Sequence, residues 1–229
     1  MDSMPPPQAV LWDFDGTLVD TASVWFGAER AVVAALGGPA WTPEGSARIH
    51  GFSMRDGTAA LIEHSGRTGE VDPDWGVGFM EDYVLNVLPE TAIEWRPGAL
   101  DLVAELERRG IPQAVVSMST EAILRAAMSG LDRIPFAEIV GGDHVERGKP
   151  HPEPYLTAAA RLGVDPASCV AFEDSLEGRA SAEAAGCFVV AIHFHYPHDS
   201  AHGRMPVSTL EALPWEGVVG EFERWVASR

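Results

Sequence analysis

The sequence predicts an α/β fold: a doubly wound parallel sheet with a small α-helical domain inserted after its first strand. Three observations carry this. Apolar runs of strand length recur at 9–14, 112–116, 138–140, 169–172 and 188–192. Helical patterns with short connections separate the later runs, and that alternation gives a parallel sheet covered on both faces. The stretch 23–92 breaks the rhythm, with helical periodicity and no convincing strand.

Taken in order, three prolines at 5–7 form an extended lead-in to the first strand. The inserted stretch carries helical patterns at 24–36, 54–63 and 74–88. Pro97 sits where a first-turn proline belongs, and Leu102, Val103 and Leu106 then share one helical face. Helices are also predicted at 121–128, 153–162 and 178–185. Trp215, Val218, Val219, Phe222 and Trp225 make a closing helical stripe that packs on the core. The expected division is a core from 1–22 and 93–229 and an inserted helical domain at 23–92. Ligands of a doubly wound sheet bind beyond the carboxyl ends of its strands. An insertion leaving the first strand at that end would cover the site as a lid does.

Composition narrows the partners. The chain has 229 residues, 46% hydrophobic and 22% charged, with 34 acidic against 16 basic residues and a net charge of −18. Nucleic-acid binding normally needs a basic face, so none is expected. Cys169 and Cys187 lie in apolar runs and read as buried free thiols. The N-terminus lacks the basic and apolar regions of a signal peptide, and no run approaches a membrane span. The expectation is a cytoplasmic protein, a monomer or weak homo-dimer, with no membrane partner.

The chemistry-bearing residues sit where the predicted strands end. Asp13 and Asp15 close the first run, followed by Gly16 for a tight turn and Thr17 to satisfy its backbone. Two such acids can divide roles, one attacking as a carboxylate and the other moving a proton. Val115-Val116-Ser117-Met118-Ser119-Thr120 ends a strand in hydroxyls, which suit either a phosphate oxygen or helix capping, the latter favoured for Ser119 and Thr120. Gly148-Lys149-Pro150 presents one lysine on a stiff backbone, fit to neutralise a phosphoryl group. Glu173 and Asp174 end another strand side by side, where their mutual repulsion suits a cation such as Mg²⁺. Helix capping by Asp174 or Ser175 is the competing role.

Asp-Phe-Asp-Gly-Thr-Leu-Val-Asp at 13–20, Ser117, Gly-Lys-Pro-x-Pro at 148–152 and Phe-Glu-Asp-Ser at 172–175 resemble the four motifs of the haloacid dehalogenase superfamily, in that family's order. The placement of the insertion is similar to the helical cap of the subgroup containing β-phosphoglucomutase and phosphoglycolate phosphatase. The resemblance implies a Rossmann-like core and a Mg²⁺ cofactor. Asp13 would be the nucleophile that forms an aspartyl-phosphate. Asp15 would protonate the leaving group and then activate water. Ser117 and Lys149 would hold the phosphoryl group, with Met118 beside them. Asp13, the Asp15 backbone carbonyl and Asp174 would bind the metal, with Glu173 close by or acting through water.

The resemblance also sorts the family's reactions. Dehalogenases proper typically lack the second acid, and Asp15 is present. Phosphonate hydrolases of this design use a cap lysine, and 23–92 contains none. The mutase places a histidine ten residues after the second aspartate, where this chain has Trp25. The expected function is a phosphatase acting on a small phosphorylated metabolite, with sugar phosphates the leading class. A sugar phosphomutase and a non-catalytic binding or regulatory protein are the alternatives. Trp25, His50, Arg55 and Tyr83 are the cap residues that could face the substrate; Arg55 could grip a second anionic group, and Trp25 and Tyr83 equally suit the cap's own core. His193, His195, His198 and His202 crowd into ten residues, a spacing that could bind a transition metal but more often marks a solvated loop.

Overall fold

The computed structural model describes residues 5–91, 93–192 and 204–229. The chain begins with β1 (Ala9–Trp12) and the short β2 (Val19–Asp20). Four helices follow: α1 (Ala22–Ala35), α2 (Pro43–Ile49), α3 (Met54–His64) and α4 (Pro73–Val87). The path returns through β3 (Glu94–Trp95), α5 (Ala99–Arg108), β4 (Gln113–Val116), α6 (Glu121–Ala127) and β5 (Glu138–Val140). It continues with α7 (Glu153–Leu162), β6 (Cys169–Glu173), α8 (Leu176–Ala185) and β7 (Phe188–Ile192), and closes with β8 (Arg204–Val207) and α9 (Trp215–Ala227).

Six strands form one sheet in the order β5-β4-β1-β6-β7-β8, every neighbouring pair parallel. This is a doubly wound, Rossmann-like arrangement, with strand order reversing at central β1. Strand side chains alternate between faces, and each face has its own helical cover. Val10, Trp12, Val115, Phe172 and Val190 point into one apolar cluster with α5, α6 and α9. Ala9, Leu11, Ala114, Ala171 and Ala191 point into the other, under Tyr155, Ala158 and Ala159 of α7 and Ala182 of α8. The small residues on that second face let α7 and α8 lie close to the sheet. Trp12 stacks on Phe172 with ring centroids 4.2 Å apart, while its Nε1 donates to buried Gln113 Oε1 at 2.9 Å and so leaves that amide satisfied.

The four helices between β2 and β3 pack mainly on one another through α1, α3 and α4. Their entry and exit run side by side, because β2 pairs antiparallel with β3 and the Arg96 N–H donates to the Leu18 carbonyl at 2.8 Å. Two elements here differ from expectation. The short α2 carries start signals that its length obscured, an N-cap Thr42 accepting from the Gly45 N–H and Pro43 in the first turn. α5 starts later than Pro97 suggests, at Ala99, behind Gly98 in the left-handed region with φ +81°. A sixth sheet strand, β8, is also present. Pro206 masks it in the sequence, and the edge position tolerates a residue with no N–H. Cys169 and Cys187 are free and buried, as their surroundings imply. No helix among the described residues is long and apolar enough to cross a membrane.

Candidate active site

Beyond the carboxyl ends of β1, β4 and β6 lies the crevice where the strand order reverses, the position at which open α/β sheets bind ligands. β1 delivers Asp13, β4 delivers Ser117, and β6 delivers Glu173 and Asp174. The loop before α7 delivers Lys149. All five side chains are buried.

Lys149 organises one side of the crevice. Its Nζ donates to Asp13 Oδ1 at 2.8 Å, Glu173 Oε1 at 2.6 Å and the Val116 carbonyl at 2.9 Å, using all three ammonium donors. Burial disfavours the ammonium charge, but the Asp13 and Glu173 carboxylates outweigh it, and the lysine pKa is raised. Glu173 is further engaged by the Tyr155 hydroxyl and by Ser175 Oγ at 3.2 Å. Its carboxylate stands where a Cβ on Gly178 would be, 2.0 Å away, so only glycine fits at that point of α8. Glu173 thus serves first as the anchor of Lys149. Ser175, rather than Asp174, caps α8.

Asp13 is left half-satisfied. Oδ1 is bonded to Lys149, whereas buried Oδ2 has no hydrogen-bond partner among the described residues. Burial raises the Asp13 pKa well above the usual carboxylate range; Glu173 and Asp174 add to this and Lys149 opposes it. Ligand oxygens of Asp13, Glu173 and Asp174 lie within 4.8 Å of one another. Three buried acids against one lysine, with an orphaned oxygen among them, fit a divalent cation with oxygen ligands.

The turn after Asp13 brings Asp174 in closely. Gly16 has φ +94°, and a Cβ there would fall 2.3 Å from Asp174 Oδ2. Thr17 Oγ1, expected to serve the turn backbone, instead approaches Asp174 Oδ1 at 3.5 Å. From the helical segment, His50 Nε2 lies 3.3 Å from Asp174 Oδ2. That hydrogen bond, opposed by burial and aided by the nearby carboxylates, raises the His50 pKa to about 9.

Asp15 is caged. Oδ1 accepts from Thr21 Oγ1 at 2.7 Å and Trp25 Nε1 at 2.8 Å. Oδ2 accepts from Ser117 Oγ at 3.0 Å and Ser119 Oγ at 2.7 Å. Four donors fill the acceptor positions of one carboxylate. Ser119 and Thr120 therefore do not act as expected: neither side chain caps α6, and Thr120 Oγ1 donates to Glu81 Oε1 at 2.6 Å. Thr21 is a site residue that the sequence reading missed, and Ser119 is one to which it assigned capping. The only signal in each case was a hydroxyl near a motif, and hydroxyls are common there.

A cavity of about 620 Å³ opens over these groups, between the sheet edge and the helical segment. It is lined by Asp13, Asp15, Ser117, Met118, Lys149 and Asp174 below and by Trp25, Phe26, Glu29, Ile49, His50 and Met54 above. Met118 also accepts the Lys149 backbone N–H through Sδ at 3.2 Å. Arg55 is not brought to the cavity. It is exposed on the outer side of α3 and paired with Asp72 and Asp74 near the start of α4, because its helical position turns it away from Met54. Tyr83 likewise lies outside the lining, its hydroxyl against Gly27 of α1. Glu29, unnoticed in the sequence, is a buried cavity residue accepting from Trp41 Nε1 at 2.7 Å, and burial raises its pKa. His193, His195, His198 and His202 lie outside the described residues.

The chain is similar to several characterised proteins. It is 34% identical over 185 residues to a bifunctional riboflavin kinase/FMN phosphatase of Arabidopsis thaliana, covering 80% of this chain but only 48% of that larger protein. Hexitol phosphatase A of Escherichia coli (strain K12) is 32% identical over 191 residues, covering 80% of this chain and 82% of the relative. The crystal structure of a β-phosphoglucomutase from Clostridium difficile superposes with a TM-score of 0.85 over 96% of this chain and 99% of that one; at 21% identity this likeness is one of fold. The family model for haloacid dehalogenase-like hydrolases matches residues 10–192, from β1 through β7, and so takes in every motif residue of the crevice: the chain belongs to the haloacid dehalogenase-like hydrolases.

Proposed function

We propose that the protein is a Mg²⁺-dependent phosphatase that hydrolyses a small phosphorylated metabolite, a sugar phosphate in class, through an aspartyl-phosphate on Asp13. The observation that carries this reading is Asp13 itself, which lines the cavity and is held by Lys149 through Oδ1, with a buried Oδ2 that no described residue bonds. A carboxylate so placed is an oriented nucleophile, and phosphoryl transfer depends on positioning and charge neutralisation above all. The name of one relative, hexitol phosphatase A, supports the substrate class.

Asp13 and Asp174 are the proposed Mg²⁺ ligands, with the Asp15 backbone carbonyl and with Glu173 behind them. Bound there, the ion would supply charge neutralisation and polarisation of the phosphoryl oxygens. Lys149 would meet the transferring phosphoryl while remaining anchored on Glu173. Ser117 now donates to Asp15. On substrate binding its hydroxyl would turn to a phosphoryl oxygen, which frees an acceptor position on Asp15. Asp15 would take up a proton at that position, give it to the leaving oxygen and later take the proton of the attacking water. The segment 23–92 would act as the cap domain, closing over a core made of 1–22 and 93–229 and excluding water from the transfer.

Asp13→Asn should abolish phosphate release from every ester tested, with Mg²⁺ saturating and the thermal transition retained. Robust residual turnover in that variant would overturn the mechanism.

A further inference from the structure

The polar chemistry of the cavity does not end at the phosphoryl site. Trp25 and Glu29 are one turn apart on α1 and share the face that lines the cavity. Trp25 reaches Asp15, where the leaving oxygen would be protonated. Glu29 sits about 6 Å further along the helix axis, a distance spanned by a chain of a few carbons. Its carboxyl group is buried, and its hydrogen bonds come from Trp41 Nε1 at 2.7 Å and from Ser46. Two carboxylate oxygens offer about four acceptor positions, so capacity remains for donors on a molecule in the cavity. The walls between, including Phe26, Ile49 and Met54, are apolar.

Charge separates the possible leaving groups. Among the described residues, the cations lining the cavity are Lys149, Arg96 and His50. Lys149 is bonded to Asp13 and Glu173, Arg96 to Asp20 and the Gly16 carbonyl, and His50 to Asp174. The same cavity carries the acids Asp13, Asp15, Asp20, Glu29 and Asp174. A second anion on the leaving group would face Glu29 and find each lining cation already engaged. Protonated, Glu29 would offer such an anion no compensating charge either. A hydroxyl suits Glu29 in both states.

Resting on the phosphatase reading above, we propose that Glu29 sets the substrate class. The enzyme takes phosphate monoesters of neutral, hydroxyl-bearing leaving groups, whose distal hydroxyl donates to Glu29, in preference to esters bearing a second carboxylate or phosphate.

The test measures kcat/KM for a hexitol monophosphate, phosphoglycolate, a sugar bisphosphate and p-nitrophenyl phosphate in the wild type and in Glu29→Gln. The substitution keeps the side chain's volume and an oxygen for Trp41. The wild type should prefer the hexitol monophosphate to both doubly anionic esters. In Glu29→Gln the ratio of hexitol monophosphate to p-nitrophenyl phosphate should fall about 10- to 100-fold, the scale of one hydrogen bond to a charged group, and should fall through KM. A wild-type preference for doubly anionic esters, or an unchanged ratio in a variant with wild-type Tm, overturns this inference and leaves the hydrolase reading intact. Absence of phosphate release from all four esters in the wild type overturns both.

Discussion

Asp13, the proposed nucleophile, sits in a place that disfavours its charge. Burial and two neighbouring acids raise its pKa, with Lys149 the counterweight. A cation bound between Asp13 and Asp174 would favour the Asp13 carboxylate and so bring its pKa down. His50 would add to this, since an Asp174 committed to a metal no longer supports the histidine pKa of about 9. The sign follows: Mg²⁺ binding at the proposed site would release protons, and its affinity would tighten as pH rises. Calorimetric titrations in two buffers of different ionisation enthalpy should show that release. Proton uptake would contradict the metal assignment. Trp25 allows a second test at this scale. Trp25→Phe keeps a ring on α1 but removes one of four donors to Asp15. One lost hydrogen bond should lower kcat about 3- to 10-fold with Mg²⁺ affinity unchanged. A wild-type kcat would show that Thr21, Ser117 and Ser119 suffice.

The turn between β1 and β2 does more than reverse the chain. Gly16 has a backbone conformation that costs other residues about 1–2 kcal/mol, and it also admits the Asp174 carboxylate into the space a Cβ would fill. Gly37 offers a control, with φ +69° and nothing within 4 Å. Gly37→Ala should show the conformational cost alone. Gly16→Ala should cost more stability, by chemical denaturation, and should also weaken Mg²⁺ binding because Asp174 must move. Mg²⁺ affinity equal to wild type in Gly16→Ala would refute that coupling. The same logic holds in α8, where Gly178 makes room for the Glu173 carboxylate that anchors Lys149. Two glycines thus set the approach of the two acids that end β6.

Across the whole molecule, the site exists because three non-consecutive strands end together and one inserted segment covers them. Asp13 and Ser117 are 104 positions apart in sequence, as 117 less 13, yet both reach the same crevice because β1 pairs with β4. The cover contributes Trp25, Glu29 and His50 and leaves Arg55 outside. Arg55→Ala should therefore shift kcat/KM less than about threefold and stability by no more than about 1 kcal/mol, the range of an exposed ion pair. A large loss of kcat/KM for any phosphoester would restore Arg55 to the substrate site.

Much of this was legible in the chain alone. Continuous apolar runs of strand length and intervening helical stripes determine a parallel sheet, because a strand buried on both faces and a helix buried on one leave different patterns. The motif acids, Ser117 and Lys149 were legible because each follows a strand end or a stiff turn, where local chemistry constrains the residue. β8 escaped because an edge strand can hold a proline, and α2 because seven residues show too little periodicity. The partners of those motifs belonged to tertiary structure alone. Only packing turned Ser119 from a cap into a donor to Asp15, set Glu173 behind Lys149, brought Glu29 and His50 into the cavity and faced Arg55 away from it. Local sequence pattern constrains which face of an element is buried; what stands opposite that face depends on how distant elements meet.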